Sequence, residues 1–255
     1  MADRPIIEVK DLTAGYGDTV ILEDVNFEVR TGEVFAILGG SGCGKSTLLK
    51  HLIGLRRPVQ GSVLIDGTDI ITADGAERLA LLKKIGVSYQ SGALFGSMDL
   101  LENVTLALEE LTDLPADAIE AIAQMKLKAV GLQDAAYKMP SELSGGMRKR
   151  AAIARALALD PEILFLDEPS AGLDPVTAVQ LDRLILELSE SLEITSVLVT
   201  HELPSIFAVA DRVIMLDKEA RAVIAAGTPQ ELRDHSDIPA VRQFFNRQAP
   251  DDAKG

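Results

Sequence analysis

The stretch VFAILGGSGCGKST, from Val34 to Thr47, decides the fold. Its first five residues are apolar and bounded by glycine, which reads as a strand buried on both faces. Gly39 to Ser46 then fit the pattern G-x-x-x-x-G-K-[ST], and a helix from about Gly44 to Ile53 follows. A glycine-rich turn between a strand and a helix lets successive N–H groups close around phosphate oxygens, where the helix start also favours negative charge. Lys45 places a cation against the β- and γ-phosphates, and Ser46 offers a hydroxyl to Mg²⁺. The candidate phosphate-binding residues are therefore Gly39, Gly40, Ser41, Gly42, Cys43, Gly44, Lys45, Ser46 and Thr47. The competing reading is a chance glycine-rich turn, which the strand before it and the helix after it disfavour. Cys43 reads as a small residue tolerated inside the loop, with no redox role.

Two further stretches extend this chemistry. In ILFLDEP, Ile163 to Pro169, a buried strand ends in two carboxylates, at the edge where a parallel sheet presents its ligands. Side chains alternate along a strand, so Asp167 and Glu168 face different ways. Asp167 is placed to hold a metal, and Glu168 to act as general base toward an attacking water. In ELSGGMRKRAAIARAL, Glu142 to Leu157, Ser144, Gly145 and Gly146 open a long helix. This is a second phosphate-seeking helix start in a chain that already has one.

Outward from these motifs, strands and helices alternate. IIEVKDL and VILEDVNFEVR read as strands, and SVLIDGTDI as a hairpin turning at Asp66-Gly67. Helical stretches occupy roughly 100 to 130, and a helix starts near Pro175. ITSVLVT is a strand, a short helix follows His201, and RVIML is a further strand. The pattern predicts an α/β fold with a mainly parallel sheet covered on both faces. The block from about 91 to 159 is predicted as a helical insert, and residues 247–255, RQAPDDAKG, as a frayed polar tail.

Composition narrows the function classes. With 47% hydrophobic and 25% charged residues the chain can build a packed core. A net charge of −14 argues against a duplex-wrapping surface or direct adsorption to anionic lipid, with Arg148-Lys149-Arg150 as a local exception. The single cysteine cannot form an internal disulfide, which suits a reducing compartment. No run has the length of a membrane span, and the start lacks the apolar core of a secretory signal. Any service to a membrane is therefore expected to run through a partner.

In order and context, these motifs resemble the nucleotide-binding subunits of ABC transporters, from about Ile6 to Leu232. The resemblance implies a P-loop NTPase (RecA-like) core, an N-terminal antiparallel β subdomain and a helical subdomain at about 91–159. It divides the chain into an ATPase domain at 1–232 and a C-terminal helix and tail at 233–255. It also implies roles. Tyr16 in AGYGD resembles the aromatic that stacks on adenine. Gly39–Ser46 match the Walker A loop, and Gln90 in VSYQSG matches the Q-loop, which touches metal and the attacking water. LSGGM matches the signature and ILFLDE the Walker B strand. Asp174 in SAGLD matches the D-loop at a dimer interface, and His201 in LVTHE the γ-phosphate switch histidine. Alone, Tyr16 would read as a packing residue, Gln90 as a polar strand end and His201 as a helix cap. In this family two subunits pack head to tail, and each ATP lies between one Walker A loop and the other signature. That would explain the second helix start: Ser144, Gly145 and Gly146 serve the neighbour's γ-phosphate.

Most ABC signatures end in Gln, whereas this one ends in Met147, which also fits a packing stripe with Ala151, Ala154 and Ala158. QSGALF, Gln90 to Phe95, occurs with it, and the pair resembles ATPases of MCE-type lipid transporters, the Mla and Mkl-like group. That resemblance implies Mg-ATP as cofactor and substrate and a homodimer of ATPase subunits. It further implies integral-membrane permeases, an MCE-domain lipid-binding protein, a small STAS-domain subunit and a place on the cytoplasmic face of the inner membrane. No nucleic-acid partner is expected. The alternatives are the ATPase of another importer, such as one for amino acids, and a soluble ABC ATPase without a transport role. The latter usually carries a second cassette or a long coiled coil, and neither is visible.

Overall fold

A computed structural model describes residues 5–17 and 19–247; apart from Arg247, the predicted polar tail lies outside them. The chain opens with strands β1 (Pro5–Tyr16), β2 (Thr19–Arg30) and β3 (Val34–Leu38), then helix α1 (Lys45–Leu52), as the opening motif predicted to within a residue at each end. Strands β4 (Gln60–Ile65) and β5 (Thr68–Asp69) form the expected hairpin. Its turn residues Asp66 and Gly67 both have positive φ, 49° and 81°, the geometry whose twist matches that of the flanking strands. Helix α2 (Gly75–Lys83) and strand β6 (Ile85–Ser88) follow. The helical block contains α3 (Leu100–Leu111), α4 (Ala116–Ala129) and α5 (Gly145–Ala156). The chain then runs through β7 (Ile163–Asp167), α6 (Pro175–Leu192), β8 (Thr195–Val199), α7 (Leu203–Val209), β9 (Arg212–Asp217), β10 (Ala222–Gly227), α8 (Pro229–His235) and α9 (Pro239–Phe245).

Two sheets result. β2-β1-β4-β5 is antiparallel, and the second sheet has the order β10-β9-β3-β8-β7-β6. The second is parallel throughout except for its β10–β9 edge. All five residues of β3 and of β8 are buried, so both faces of the sheet are covered. Alternation sorts their side chains between two cores. Val34, Ala36 and Leu38, with Leu164, Leu166 and Leu198, face the helical block and α6. Phe35 and Ile37, with Ile163, Phe165, Val197 and Val199, face α1 and the antiparallel sheet. Continuing that alternation, Asp167 points to the α1 side, where the phosphate loop lies.

The helical block shares its core with the sheet: Ala151, Ile153, Ala154 and Leu157 of the α5 segment pack with Leu100, Val104, Ile119 and the sheet's own leucines. Its entry is fixed by a capping box, Asp99 accepting from the Glu102 N–H and Glu102 accepting from the Asp99 N–H. The expected boundary at 232 falls inside α8, and Leu232, Val241 and Phe245 are buried in this same core. The apolar residues of the C-terminal helices thus pack into the core shared by the helical block and the sheet, across the expected boundary. Among the described residues no helix is long and apolar enough to cross a membrane.

Helix α5 approaches the sheet closely at Gly86, where a Cβ would lie 2.3 Å from the Ala156 carbonyl oxygen. Gly86→Ala should therefore destabilise the protein by about 1–3 kcal/mol through overpacking. Urea unfolding should show a lower midpoint with unchanged slope.

Candidate active site

Every loop carrying a sequence-predicted catalytic residue leaves the C-terminal end of a parallel strand: the phosphate loop after β3, Gln90 after β6, Glu168 after β7 and His201 after β8. They meet in a cleft of about 640 Å³. Its walls include Gly40, Ser41, Gly42, Gly44, Lys45, Ser46, Thr47, Gln90, Glu168 and His201. Sequence reasoning did not anticipate Ile21 and Phe244, which also line it. Each is an ordinary apolar residue outside the motifs, and the packing of β2 and α9 brings them there.

The phosphate loop needs its glycines for room as well as for backbone freedom. Gly39 has φ 148°, and a Cβ on it would lie 2.6 Å from the Leu216 carbonyl oxygen and 2.4 Å from Cys43 Sγ. Cys43 is more than a tolerated small residue: its side chain is buried and joins the core between α1 and the antiparallel sheet. That burial raises the thiol pKa and keeps it protonated. Lys45 Nζ donates to the Gly39 and Gly40 carbonyls at 2.8 and 3.1 Å, so its ammonium is held across the loop.

At the end of β7 the two carboxylates have different surroundings, and Glu168 lies beyond the strand, where alternation no longer applies. Asp167 Oδ1 is buried without a hydrogen-bond partner. Burial, and then the Glu168 charge, raise the Asp167 pKa, opposed by Lys149, Lys45 and Lys50. An acceptor oxygen left bare beside the phosphate loop suits a metal or its bound water. Glu168 has φ 46°, a left-handed backbone that costs a residue with a Cβ roughly 1–2 kcal/mol. Its N–H donates to the Val199 carbonyl at 2.7 Å, and its own carbonyl accepts from Lys149 Nζ at 2.8 Å. Its carboxylate accepts from Thr200 Oγ1 at 3.2 Å and lies 2.8 Å from His201 Nδ1. The Glu168 side chain is 11% exposed and that of His201 55%, so the histidine shields the carboxylate and faces the cleft.

Other predicted residues lie outside the cleft wall. Tyr16 has its hydroxyl 3.2 Å from Thr47 Oγ1, a bond that lowers its pKa, and the Arg56 guanidinium covers one ring face at 4.0 Å. Asp174 caps α6, accepting from the Val176 and Thr177 N–H groups at 3.0 and 3.1 Å and from Thr177 Oγ1. Ser144 caps α5 by accepting from the Met147 N–H at 3.2 Å, and Ser144 and Gly145 are exposed. Gly146 is buried against α6, where a Cβ would lie 2.5 Å from Thr177 Cγ2. Met147 packs, half-buried, on the helical core.

The basic triplet after it is not a surface patch. Arg148 and Arg150 donate to the Leu143 and Val130 carbonyls, and Lys149 is buried with Nζ on the Gln90 and Glu168 carbonyls. Nothing in the spacing of basic residues announces this. Thr200 was equally silent, although its place at the end of β8, one residue before His201, was the available signal.

A glycine-rich loop between strand and helix, a lysine across it and paired carboxylates at the end of β7, separated from β3 by β8 alone, define a P-loop NTPase. Residues 22–171 match the ABC transporter family, and the chain belongs to it. It is an ATP-binding, ATP-hydrolysing subunit of that class. Over 240 residues it is 46% identical to "Probable ribonucleotide transport ATP-binding protein mkl" of Mycobacterium leprae, covering 94% of this chain and 68% of that one. It is 44% identical to "Intermembrane phospholipid transport system ATP-binding protein MlaF" of Haemophilus influenzae, covering 94% and 90%. The dimeric post-hydrolysis structure of the ATP-binding cassette MJ0796, bound to ADP and Pi, superposes with a TM-score of 0.78 at 32% identity, over 87% of this chain and 98% of that one.

The raised pKa of Asp167 has a measurable consequence. Both states are ionised above the folded-state pKa, so the fold carries the full cost of the buried charge there; that cost fades as pH falls through the folded-state pKa and is gone below the unfolded one. Asp167→Asn, neutral at every pH, should raise the thermal midpoint of the nucleotide-free protein at neutral pH. The added stability from Mg-ATP should shrink in the same variant, as differential scanning fluorimetry with and without nucleotide would show.

Proposed function

We propose that this chain is the ATPase subunit of a phospholipid transporter, working as a homodimer whose two nucleotide sites each take residues from both copies. The observation that carries the shared site is a division. Lys45, Ser46, Gln90, Glu168 and His201 line one cleft, whereas the exposed helix start Ser144-Gly145 is not part of that wall. A second copy turned head to tail would bring its Ser144, Gly145 and Gly146 to the γ-phosphate, with N–H donors at a helix start and a hydroxyl. Asp174, beside this helix start through the packing of Gly146 on Thr177, would then lie at the dimer interface.

In the reaction, Gly39 to Thr47 hold the phosphates through backbone N–H groups and Lys45 adds its charge. Tyr16, whose ring already carries the Arg56 guanidinium at 4.0 Å and Lys50 Nζ at 5.8 Å, would stack on adenine. Glu168 takes the proton of the attacking water, and Gln90 and His201 orient that water and the γ-phosphate. Ser46, Gln90 and Asp167 would hold Mg²⁺, which when bound neutralises charge on the phosphates. Among the described residues there is no group of three or more His, Cys, Asp or Glu that could hold a metal. That agrees with Mg²⁺, which keeps several waters and takes few protein ligands.

For the cargo, the pair QSGALF and LSGGM and the extent of the match to MlaF support phospholipid. The name of the mycobacterial relative points instead to ribonucleotides. The subunit would act on the cytoplasmic face of the inner membrane, held there by permease subunits, in a complex with an MCE-domain protein and a small STAS-domain subunit. Isolation of the tagged chain from native membrane, followed by mass spectrometry, should recover a permease, an MCE-domain protein and enriched phospholipid. Recovery of nucleotide-handling partners without lipid would overturn this reading.

Glu168→Gln should bind Mg-ATP but turn over at least about a hundredfold more slowly, since the amide keeps the shape and removes the proton acceptor. ATP should then hold two chains together by light scattering, and adding Ser144→Arg should abolish that dimer. A dimer that survives Ser144→Arg would show that the second helix start does not serve the neighbour's nucleotide.

A further inference from the structure

We propose that Lys149 is a positioning residue for ATP hydrolysis: from α5 its buried ammonium grips the backbone carbonyls of Gln90 and Glu168, and so aims both side chains into the nucleotide cleft. The inference rests on the roles given above to Gln90 and Glu168.

Lys149 is 8% exposed and donates to Gln90 O at 2.6 Å and Glu168 O at 2.8 Å. Neither acceptor is a carboxylate. A buried ammonium normally meets a direct counter-ion, and here the nearest negative charges are those of Asp167 and Glu168, acting through space. Burial lowers the Lys149 pKa, so the fold bears a cost to keep a cation at this point. A packing residue would be expected to be apolar, as Ala151, Ala152, Ile153 and Ala154 are on the same helix.

One of the two carbonyls the cation holds belongs to a residue with a left-handed backbone. Glu168 sits at φ 46°, and a left-handed conformation in a residue with a Cβ persists only where its surroundings impose it. Two bonds impose it here: the Glu168 N–H to Val199 O, and the Glu168 carbonyl to Lys149. Released from Lys149, the peptide could relax, and the carboxylate would leave the position fixed by Thr200 and His201. The Gln90 loop is gripped from the same helix at a second point, since Arg155 donates to the Gly92 and Ala93 carbonyls at 3.1 and 2.5 Å. Ala93 is likewise left-handed, at φ 48°. Helix α5 therefore carries Ser144-Gly145-Gly146 at its start and, within two turns, the clamp on its own chain's catalytic loops. Movement of that helix start against a neighbouring nucleotide would be transmitted to Gln90 and Glu168 through Lys149.

The test uses the full chain, purified with the membrane subunits that accompany it. Lys149→Met keeps the length and apolar stem and removes the donors. Turnover and Mg-ATP affinity are measured separately, the second with a fluorescent ATP analogue. Expected is a fall in kcat on the order of ten- to a hundredfold, the effect of a slightly misplaced reacting group, with Kd within about twofold of wild type. At least one of Lys149→Arg and Lys149→Gln, which retain N–H donors, should recover part of that loss. A Met variant with wild-type kcat overturns the proposal. So does equal loss of kcat and affinity with a lowered thermal midpoint, which would make Lys149 a residue of the fold alone, and so does recovery in neither donor-bearing variant. If the Met chain does not fold, the Arg and Gln chains are judged by the same split between kcat and Kd. Glu168→Gln is run alongside: wild-type turnover there would overturn the base assignment on its own, whereas slow Glu168→Gln with fast Lys149→Met would overturn only the role of Lys149.

Discussion

A parallel sheet buried on both faces leaves its backbone few ways to meet a ligand. Side chains of β3, β7 and β8 are committed to one core or the other, and the N–H and C=O groups between them are committed to neighbouring strands. Only the strand ends are free to turn outward. Lys45, Gln90, Glu168 and His201 are therefore gathered at one edge, where the loops after β3, β6, β7 and β8 emerge. The strand order, which places β3 beside β8 and β8 beside β7, makes neighbours of residues as far apart in sequence as Lys45 and His201.

Around that edge the chain accepts several local costs that the core offsets. Asp167 keeps an unpartnered buried oxygen, Glu168 a left-handed backbone, Gly39 an approach too close for any Cβ, and Lys149 a buried charge. Elsewhere buried polar groups are mostly paired, and helix starts are capped in ordinary ways by Asp99, Asp174 and Thr228. Similar costs occur elsewhere, as at the unpartnered Asp182 Oδ1 and the close approach at Gly86, but these four meet where ATP must be held and cleaved.

The helical block is joined to this edge by charge as well as by apolar packing. α5 contributes alanines and isoleucine to the core, and Lys149 and Arg155 to the carbonyls of the Gln90–Ala93 loop and Glu168. Apolar contacts tolerate sliding, whereas a buried cation on specific carbonyls fixes one register. The face of α5 toward the catalytic loops is thus specified more tightly than its packing alone would require.

The sequence by itself determined most of the elements, though not α2, β6 or β10, and pointed to the residues that line the cleft. Five apolar residues before a glycine-rich turn can hardly be anything but a buried strand, and Gly39 to Ser46, Asp167 and Glu168 announce their roles because backbone geometry dictates residue type there. Period-2 alternation reaches only as far as Asp167, because Glu168 lies past the end of β7 with a left-handed backbone. Tertiary structure alone decided what depends on contacts between distant segments. It tied Arg148, Lys149 and Arg150 each to a backbone carbonyl, Lys149 alone being buried, and drew Phe244 and Ile21 into the cleft. It also made α8 and α9 part of the main core, where a boundary at 232 had been expected, and buried Cys43 against Gly39. Local pattern reports what a residue's immediate backbone requires. The partners of a lysine, a phenylalanine or a cysteine are set by which other surfaces the sheet order brings against it, and nothing within a few residues of the chain records that.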